Sequence, residues 1–416
     1  MLLRTSSEAN GQEAVHKQLQ TNVDALLSQA PIPIALTNPA RGARAVNFYN
    51  IFNLVIPYCQ SSLAWTVILD PSTPSNPPDF IFPPGEEAWV RISQLSTFSK
   101  WNPLEDPESL LRVILELLGL YQQRQRQLIK SCQERIVFEF ETIQEWKGLE
   151  VMVKSPDMSG GEVWFLFPLS LSEETRNHIQ QLSIWEEWES EKSHQLLVQF
   201  PNTSYQQPPD SRILLTKHWA RCLGDVAAPA WTEDTCLMMF VPTVVETIEA
   251  HINAALLRRS LLVSLRQVFG SPLEYDSTRF LSISFAADIE EFIFVLHFDI
   301  PLGFPKDKPV FTAQSMQHHK AGPAPLLALF GEACDSLQVK ISYSDERSMV
   351  DYPYSPRWLP QELSQRIKDF LTEKVPEIKK KWDKVPRNTS RYAQCTWLIM
   401  GFFRVRIGLV DQILTP

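Results

Sequence analysis

Glycine is scarce in this chain, and its fourteen residues are scattered so that only Gly160 and Gly161 stand close together. Phosphate cradles and nucleophile elbows need closely spaced glycines, because only a missing side chain lets backbone amides approach a ligand or turn that sharply. No GxG, Gly-Lys-Ser/Thr or GxSxG occurs, which excludes the common dinucleotide-binding, P-loop and α/β-hydrolase arrangements. Paired cysteines are missing too. Cys59, Cys132, Cys222, Cys236, Cys334 and Cys395 include no CxxC, so they read as reduced, apolar thiols of a cytosolic or nuclear protein rather than a disulfide framework or zinc site. The eight histidines form no HxH or HExxH, and the adjacent His318 and His319 point to opposite sides of a strand or loop. Neither a metal nor a cofactor is expected. Basic residues number 39 against 48 acidic ones, and the formal charge of −9 repels a polyanion over most of the surface. Nucleic acid is not an expected partner. The longest apolar stretch, 397–403, falls far short of the roughly 20 residues of a membrane span, and no basic-then-apolar leader opens the chain. No membrane role is expected. The sequons at Asn202 and Asn388 read as coincidence.

Proline is abundant instead, at 31 residues, and the 416-residue length allows two or three domains with their own cores. Residues 12–28 place Val15, Leu19, Val23, Leu26 and Leu27 on one helical stripe. After a break at Pro31, Pro33 and Pro39, apolar runs at 48–56, 63–69 and 79–82 read as an antiparallel meander, with Leu63, Trp65, Val67 and Leu69 on one face. Trp101-Asn102-Pro103 follows, and Asp106-Pro107-Glu108 predicts a helix start with Asp106 as the cap. Leu110, Leu111, Ile114, Leu117 and Leu118 then form a buried helical face, and a second helical stretch reaches about Trp146.

The same order returns downstream. A helical pattern at 244–268 precedes strands at 279–286, 292–300 and 309–314, the segment Tyr352-Pro353-Tyr354-Ser355-Pro356-Arg357-Trp358, and a helix over 360–375. Such a duplication constrains the architecture more than any single motif. The expected class is α+β, an antiparallel sheet meander with flanking helices, used at least twice. Between the copies, strands are expected at 162–168, 195–200, 212–216 and 236–241, and Pro208-Pro209-Asp210 echoes Pro77-Pro78-Asp79. This centre is open between an irregular β-rich region and a degenerate third copy. Glu186, Glu187, Glu189 and Glu191 read as a solvated helix face, 320–350 as an inserted loop, and 377–391 as solvated charge or a weak nuclear-import patch. The expected division is 1–45, 46–148, 149–243, 244–376 and a tail at 377–416.

A meander ending in a Pro-Pro corner and strand, then Trp-x-Pro, then a helix resembles the ubiquitin-conjugating-enzyme fold. The residues carrying this are Asn76-Pro77-Pro78-Asp79-Phe80-Ile81-Phe82 and Lys100 to Pro103. That chemistry needs a nucleophilic cysteine and a His-Pro-Asn triplet that steadies the oxyanion. Residues 83–100 contain no cysteine, histidine or asparagine. In the second copy Cys334 has no His-Pro-Asn before it, and the neighbouring acids Glu332 and Asp335 oppose thiolate formation. Both copies therefore resemble ubiquitin-conjugating-enzyme variant (UEV) domains, which keep the fold for binding, so no enzyme activity is expected. Ile56-Pro57-Tyr58, Trp65, Phe138-Glu139-Phe140, Glu274-Tyr275-Asp276, Phe304 to Pro309 and Tyr352 to Trp358 further resemble, in order and spacing, the BRE family of tandem-UEV proteins.

The resemblance implies a scaffold subunit of the BRISC deubiquitinase and of a related nuclear DNA-damage-response complex. Its implied partners are a JAMM (MPN) metalloprotease that cleaves lysine-63-linked ubiquitin chains, that enzyme's inactive MPN partner, and a von Willebrand-A-like adaptor. Whether polyubiquitin itself is touched stays open, and the implied location is cytoplasm and nucleus. UEV domains that bind Pro-rich peptides use the groove beside the Trp/Pro segment. Tyr352, Tyr354, Pro356 and Trp358 are therefore the candidate partner-peptide residues, against the alternative that they brace the turn before the last helix. Trp101 and Pro103 read as core braces. Arg258 and Arg259, beside Ile252, Leu256, Leu261 and Leu265, mark either an interface helix or an ordinary amphipathic one. The competing functional reading is a stand-alone adaptor for ubiquitin or Pro-rich peptides.

Overall fold

The structure, a computed structural model, describes residues 2–40, 50–83, 92, 95–154, 161–181, 194–201, 207–289, 292–319, 325–328 and 352–382. It forms two compact units, the first made of Met1–Leu169, Ser193–Leu214 and Ala227–Val244. Mixed helices and antiparallel sheets make up both, as the α+β expectation requires.

In the first unit, β1 (Ala35–Ala40), β2 (Ile51–Tyr58), β3 (Ser61–Ile68) and β4 (Asp79–Ile81) pair in chain order. Alternation builds this sheet. Phe52, Leu54 and Ile56 stand opposite Val67, Trp65 and Leu63, and all six are buried on one face, as is Leu69 just beyond β3. The proline-rich break is itself a strand: β1 takes the edge position, where Pro39 costs no ladder hydrogen bond, and the register shifts between Thr37 and Ala40.

Helix α1 (Leu2–Gln29) begins well before the expected start, and its buried stripe is Leu19, Val23 and Leu26, with Leu27 on the exposed side. These pack with Leu110, Val113, Ile114 and Leu117 of α2 (Ser109–Ile129) into the core that also holds the sheet's inner face. Asp106 does not cap α2. Its carboxylate instead accepts from the amide of Glu108 at 3.1 Å and pairs with Arg112, closing a turn one step ahead of the helix. Helix α3 (Glu134–Ile143) follows.

A second meander, β5 (Glu150–Lys154), β6 (Glu162–Leu169), β7 (His194–Pro201) and β8 (Asp210–Leu214), also pairs in chain order. Pro208-Pro209 lies directly ahead of β8 as Pro77-Pro78 lies ahead of β4. The strand expected at 236–241 is wrong: those residues lead into and open α6 (Leu237–Phe269). The reason is periodic. Leu237, Phe240, Val241, Val244 and Ile248 are buried at helical spacing while Met238 and Met239 are exposed, a pattern that a six-residue apolar window cannot tell from a strand. The Glu139 carboxylate accepts from the Leu237 amide at 2.7 Å, satisfying a helix-end donor. Burial raises that carboxyl's pKa, against the Leu237 hydrogen bond and Arg135, which lower it.

The second unit comprises Ser170–Lys192, Leu215–Val226 and Val245–Pro416. It contains α4 (Glu173–Gln181), α5 (Lys217–Leu223) and a five-stranded antiparallel sheet of β9 (Pro272–Tyr275), β10 (Ser282–Ile289), β11 (Phe292–Asp299), β12 (Val310–His319) and β13 (Pro325–Ala328), followed by α7 (Pro360–Trp382). Phe285, Phe298 and Phe311 of the sheet pack against Leu261 and Leu265 of α6 and Ile367 and Leu371 of α7. Strand β13 lies inside the stretch expected to be a loop, and it pairs with β12. Glu186 to Glu191, Cys334, Cys395 and the tail beyond Trp382 lie outside the described residues. Among those described, no helix is long and apolar enough to cross a membrane, and no group of three or more metal-ligating side chains gathers.

Candidate partner-binding site

The segment 352–359 leads into α7, and its first half is bound to the loop 301–309. Tyr352 is 1% exposed, its ring lying 5.2 Å from that of Phe311 and 6.3 Å from that of Phe370. Its hydroxyl donates to the Pro309 carbonyl at 2.5 Å, while Lys308 Nζ donates to the Tyr352 carbonyl at 2.8 Å and sits 4.0 Å from the ring centroid. A buried ammonium needs such partners, and desolvation still pushes Lys308 down to about 8. The Tyr354 hydroxyl donates to the Pro305 carbonyl, just after the cis Phe304-Pro305 bond.

Beyond Tyr354 the chain turns outward. The Trp358 amide donates to the Ser355 carbonyl at 3.1 Å, closing a four-residue turn that leaves Pro356 and Arg357 exposed. Trp358 is half-buried, with the Arg366 guanidinium 4.1 Å above its ring. Arg366 is itself held by Glu362, whose Oε1 accepts from Nε at 3.1 Å and Nη2 at 2.9 Å. Leu359 next to it is 67% exposed, and Leu302 on the anchoring loop is 50% exposed.

The four expected site residues thus divide into two pairs. Tyr352 faces the core and Tyr354 pins the loop, while Trp358 packs against the edge of the same core and, with Pro356 and Leu359, borders an outward apolar rim. Sequence reasoning missed Leu359 and Arg366. Arg366 had a legible signal, its i,i+4 spacing from Glu362 on a helix. In the first unit the matching Trp101 is 9% exposed and donates from Nε1 to the Pro74 carbonyl at 3.0 Å. Pro103 is buried and its carbonyl accepts from Asn22 Nδ2 at 2.9 Å, so this Trp-x-Pro braces the core.

Arg258 is no surface contact either. It is 2% exposed and donates to the carbonyls of Arg279 at 3.1 Å and Leu302 at 2.9 Å. Burial, with the like charge of Arg279, lowers it to about 10. Nor do the described thiols include an activated nucleophile at Cys59 or Cys132, since burial raises both pKa values, with Glu150 adding to the effect at Cys59. Cys222 is buried and Cys236 half-buried.

Comparison with known proteins bears on what such an arrangement serves. Residues 23–319 match the family model described as brain and reproductive organ-expressed protein (BRE). A curated protein of Branchiostoma floridae, named BRISC and BRCA1-A complex member 2, is 34% identical over 346 residues, covering 79% of this chain and 83% of its own length. One of the same name from Danio rerio is 27% identical over 340 residues, covering 79% and 82%. Both relatives are named for membership of a complex rather than for a reaction. With the family model covering most of its length and a relative above 30% identity along nearly four fifths of it, this chain belongs to the BRE family.

Proposed function

We propose that this protein is a non-catalytic scaffold subunit of a JAMM-type deubiquitinase assembly acting on lysine-63-linked polyubiquitin. The observation that carries the reading is family membership together with relatives named as complex members. The repeated order of meander, Pro corner, Trp/Pro segment and helix supports reading the sheets as UEV domains, the central meander as a degenerate one. The thiol chemistry adds support, because burial makes Cys59 and Cys132 poor nucleophiles. On this reading the chain joins the metalloprotease and its inactive MPN partner to a von Willebrand-A-like adaptor, in cytoplasm and nucleus, and serves the DNA damage response.

The test is affinity purification of the tagged full-length chain from native cells with subunit identification, alongside assays on the pure chain. A JAMM-type metalloprotease should co-purify in stoichiometric amount, and the pure chain should neither cleave lysine-63-linked chains nor form a reducible ubiquitin adduct. Recovery without any such subunit would sink the proposal, as would an adduct lost in Cys334→Ala. A stand-alone adaptor is favoured by one observation, the outward rim of Pro356, Trp358 and Leu359. Titration with ubiquitin and with Pro-rich peptides separates the two, since a scaffold binds its protein subunits far more tightly than either ligand.

A further inference from the structure

Five hydroxyl residues stand directly before a proline: Thr73, Ser155, Ser271, Ser355 and Thr415. Proline-directed protein kinases take such a serine or threonine, and a basic residue shortly downstream favours their acidic substrate channel. Ser355 is the one followed by a basic side chain within three residues of its proline, in Ser355-Pro356-Arg357. The described alternatives carry opposing features. Thr73 donates its hydroxyl to the Asp70 carboxylate at 3.0 Å, where a phosphate meets like charge, and Ser271 leads straight into β9 with Glu274 three residues on.

Ser355 is flanked by Arg357, and the same turn carries the Trp358 ring beneath Arg366, a guanidinium that Glu362 now holds. The Oγ accepts from the Arg357 amide at 3.3 Å, the Arg357 side chain is exposed, and the Trp358 amide closes the turn. Pro356 and Arg357, which a kinase must grip, both face solvent.

We propose that Ser355 is a phosphorylation site for a proline-directed kinase and that its phosphate switches the Pro356/Trp358 rim. In the transfer step Ser355 Oγ bonds to the γ-phosphorus of ATP, the bond from that phosphorus to the β,γ-bridging oxygen breaks, ADP leaves, and the hydroxyl proton passes to the kinase's catalytic carboxylate. The new group carries a charge of about −1.5 to −2 and three strong acceptor oxygens. Arg357 and Arg366 are the guanidiniums able to answer it. Arg366 then exchanges Glu362 and the Trp358 face for the phosphate, leaving a dianion and a bare indole where a capped one stood. The regulatory half rests on the reading of this rim as a partner face; the modification itself does not.

The experiment treats the full-length chain with a purified proline-directed Ser/Thr kinase and magnesium ATP, and reads it by intact mass and peptide mapping. One phosphate on Ser355 is expected, absent in Ser355→Ala and reduced at least tenfold in Pro356→Ala. No phosphate on Ser355, or equal incorporation in Pro356→Ala, overturns the site. The phosphorylated and unmodified chains are then compared for capture of complex subunits from extract. A tenfold or greater change in capture supports the switch, and phosphate on Ser355 with unchanged capture overturns it. If the unmodified chain captures no subunit at all, the scaffold reading fails instead, while the mass result still decides the site.

Discussion

Tyr352 and Trp358 sit six residues apart in one segment and differ in depth, the first buried and the second half-buried. The Tyr352 hydroxyl donates to the carbonyl of the buried Pro309, so Tyr352→Phe removes that donor. The expected cost is about 1–2 kcal/mol in urea unfolding, with little effect on surface recognition. Trp358→Ala removes a half-buried ring that packs against the edge of the core and carries the Arg366 guanidinium over one face. It should cost about 1–3 kcal/mol through lost packing while lowering partner capture in pull-down at least tenfold, a loss of capture that Tyr352→Phe does not share. Unchanged capture in both variants would make the whole segment a brace. A residue's type announced neither role. Both are aromatic residues in a Pro-rich stretch, and what distinguishes them is that Phe311, Phe370 and the loop carbonyl of Pro309 enclose Tyr352.

At the scale of elements, α1, α2 and the Trp-x-Pro turn are joined through one amide side chain. Asn22 is fully buried; its Nδ2 donates to the Pro103 carbonyl at 2.9 Å and to the Gln18 carbonyl at 3.2 Å, and its Oδ1 accepts from the Leu110 amide at 3.3 Å. Asn22→Leu fills similar volume but orphans two backbone groups from distant segments. A loss of about 2–4 kcal/mol is expected, read as a lower urea midpoint at unchanged slope. None of this was legible in the sequence, because a lone Asn on a helical stripe has no local signature and its partners lie 81 and 88 residues away. The inner sheet face was legible, since alternation at Leu63, Trp65, Val67 and Leu69 is a local property of the chain. The edge strand β1 and the opening of α6 were not: proline punctuation concealed the first, and a short apolar window fits two periods for the second. At the candidate site the order of residues was readable, whereas the division into inward and outward pairs needed the loop 301–309 in place.

For the molecule as a whole, acid is the informative perturbation. His194 is 5% exposed, and burial lowers its pKa to about 4 from the ordinary 6.5. Between these values the unfolded chain binds a proton that the folded one refuses, so stability falls as pH drops from 6.5 to 4. The linkage amounts to roughly 3 kcal/mol at most. Glu116 extends the decline. Partial burial would raise its carboxyl, but hydrogen bonds from Thr97 and Ser96 together outweigh this and hold it at about 2, so its contribution is lost as pH falls from 4.5 to about 2. Thermal melts at pH 7, 5.5 and 4.5 should show a falling midpoint, and His194→Phe should flatten the decline above pH 4.5. An unchanged slope in that variant would assign the acid sensitivity elsewhere.

The β2–β3 hairpin turns through Cys59 and Gln60 at φ 47° and 58°, a left-handed pair that glycine or asparagine usually fills. Neighbours in its own unit hold it: the Cys59 amide donates to Glu150 Oε2 at 2.6 Å and its thiol lies 3.6 Å from the Trp164 carbonyl, fully buried. That makes the thiol a built-in clock. A maleimide reaches Cys59 only when the hairpin lifts away from β5 and β6, so its labelling rate under native conditions, read at Cys59 by peptide mapping, reports the opening frequency of this corner without any substitution.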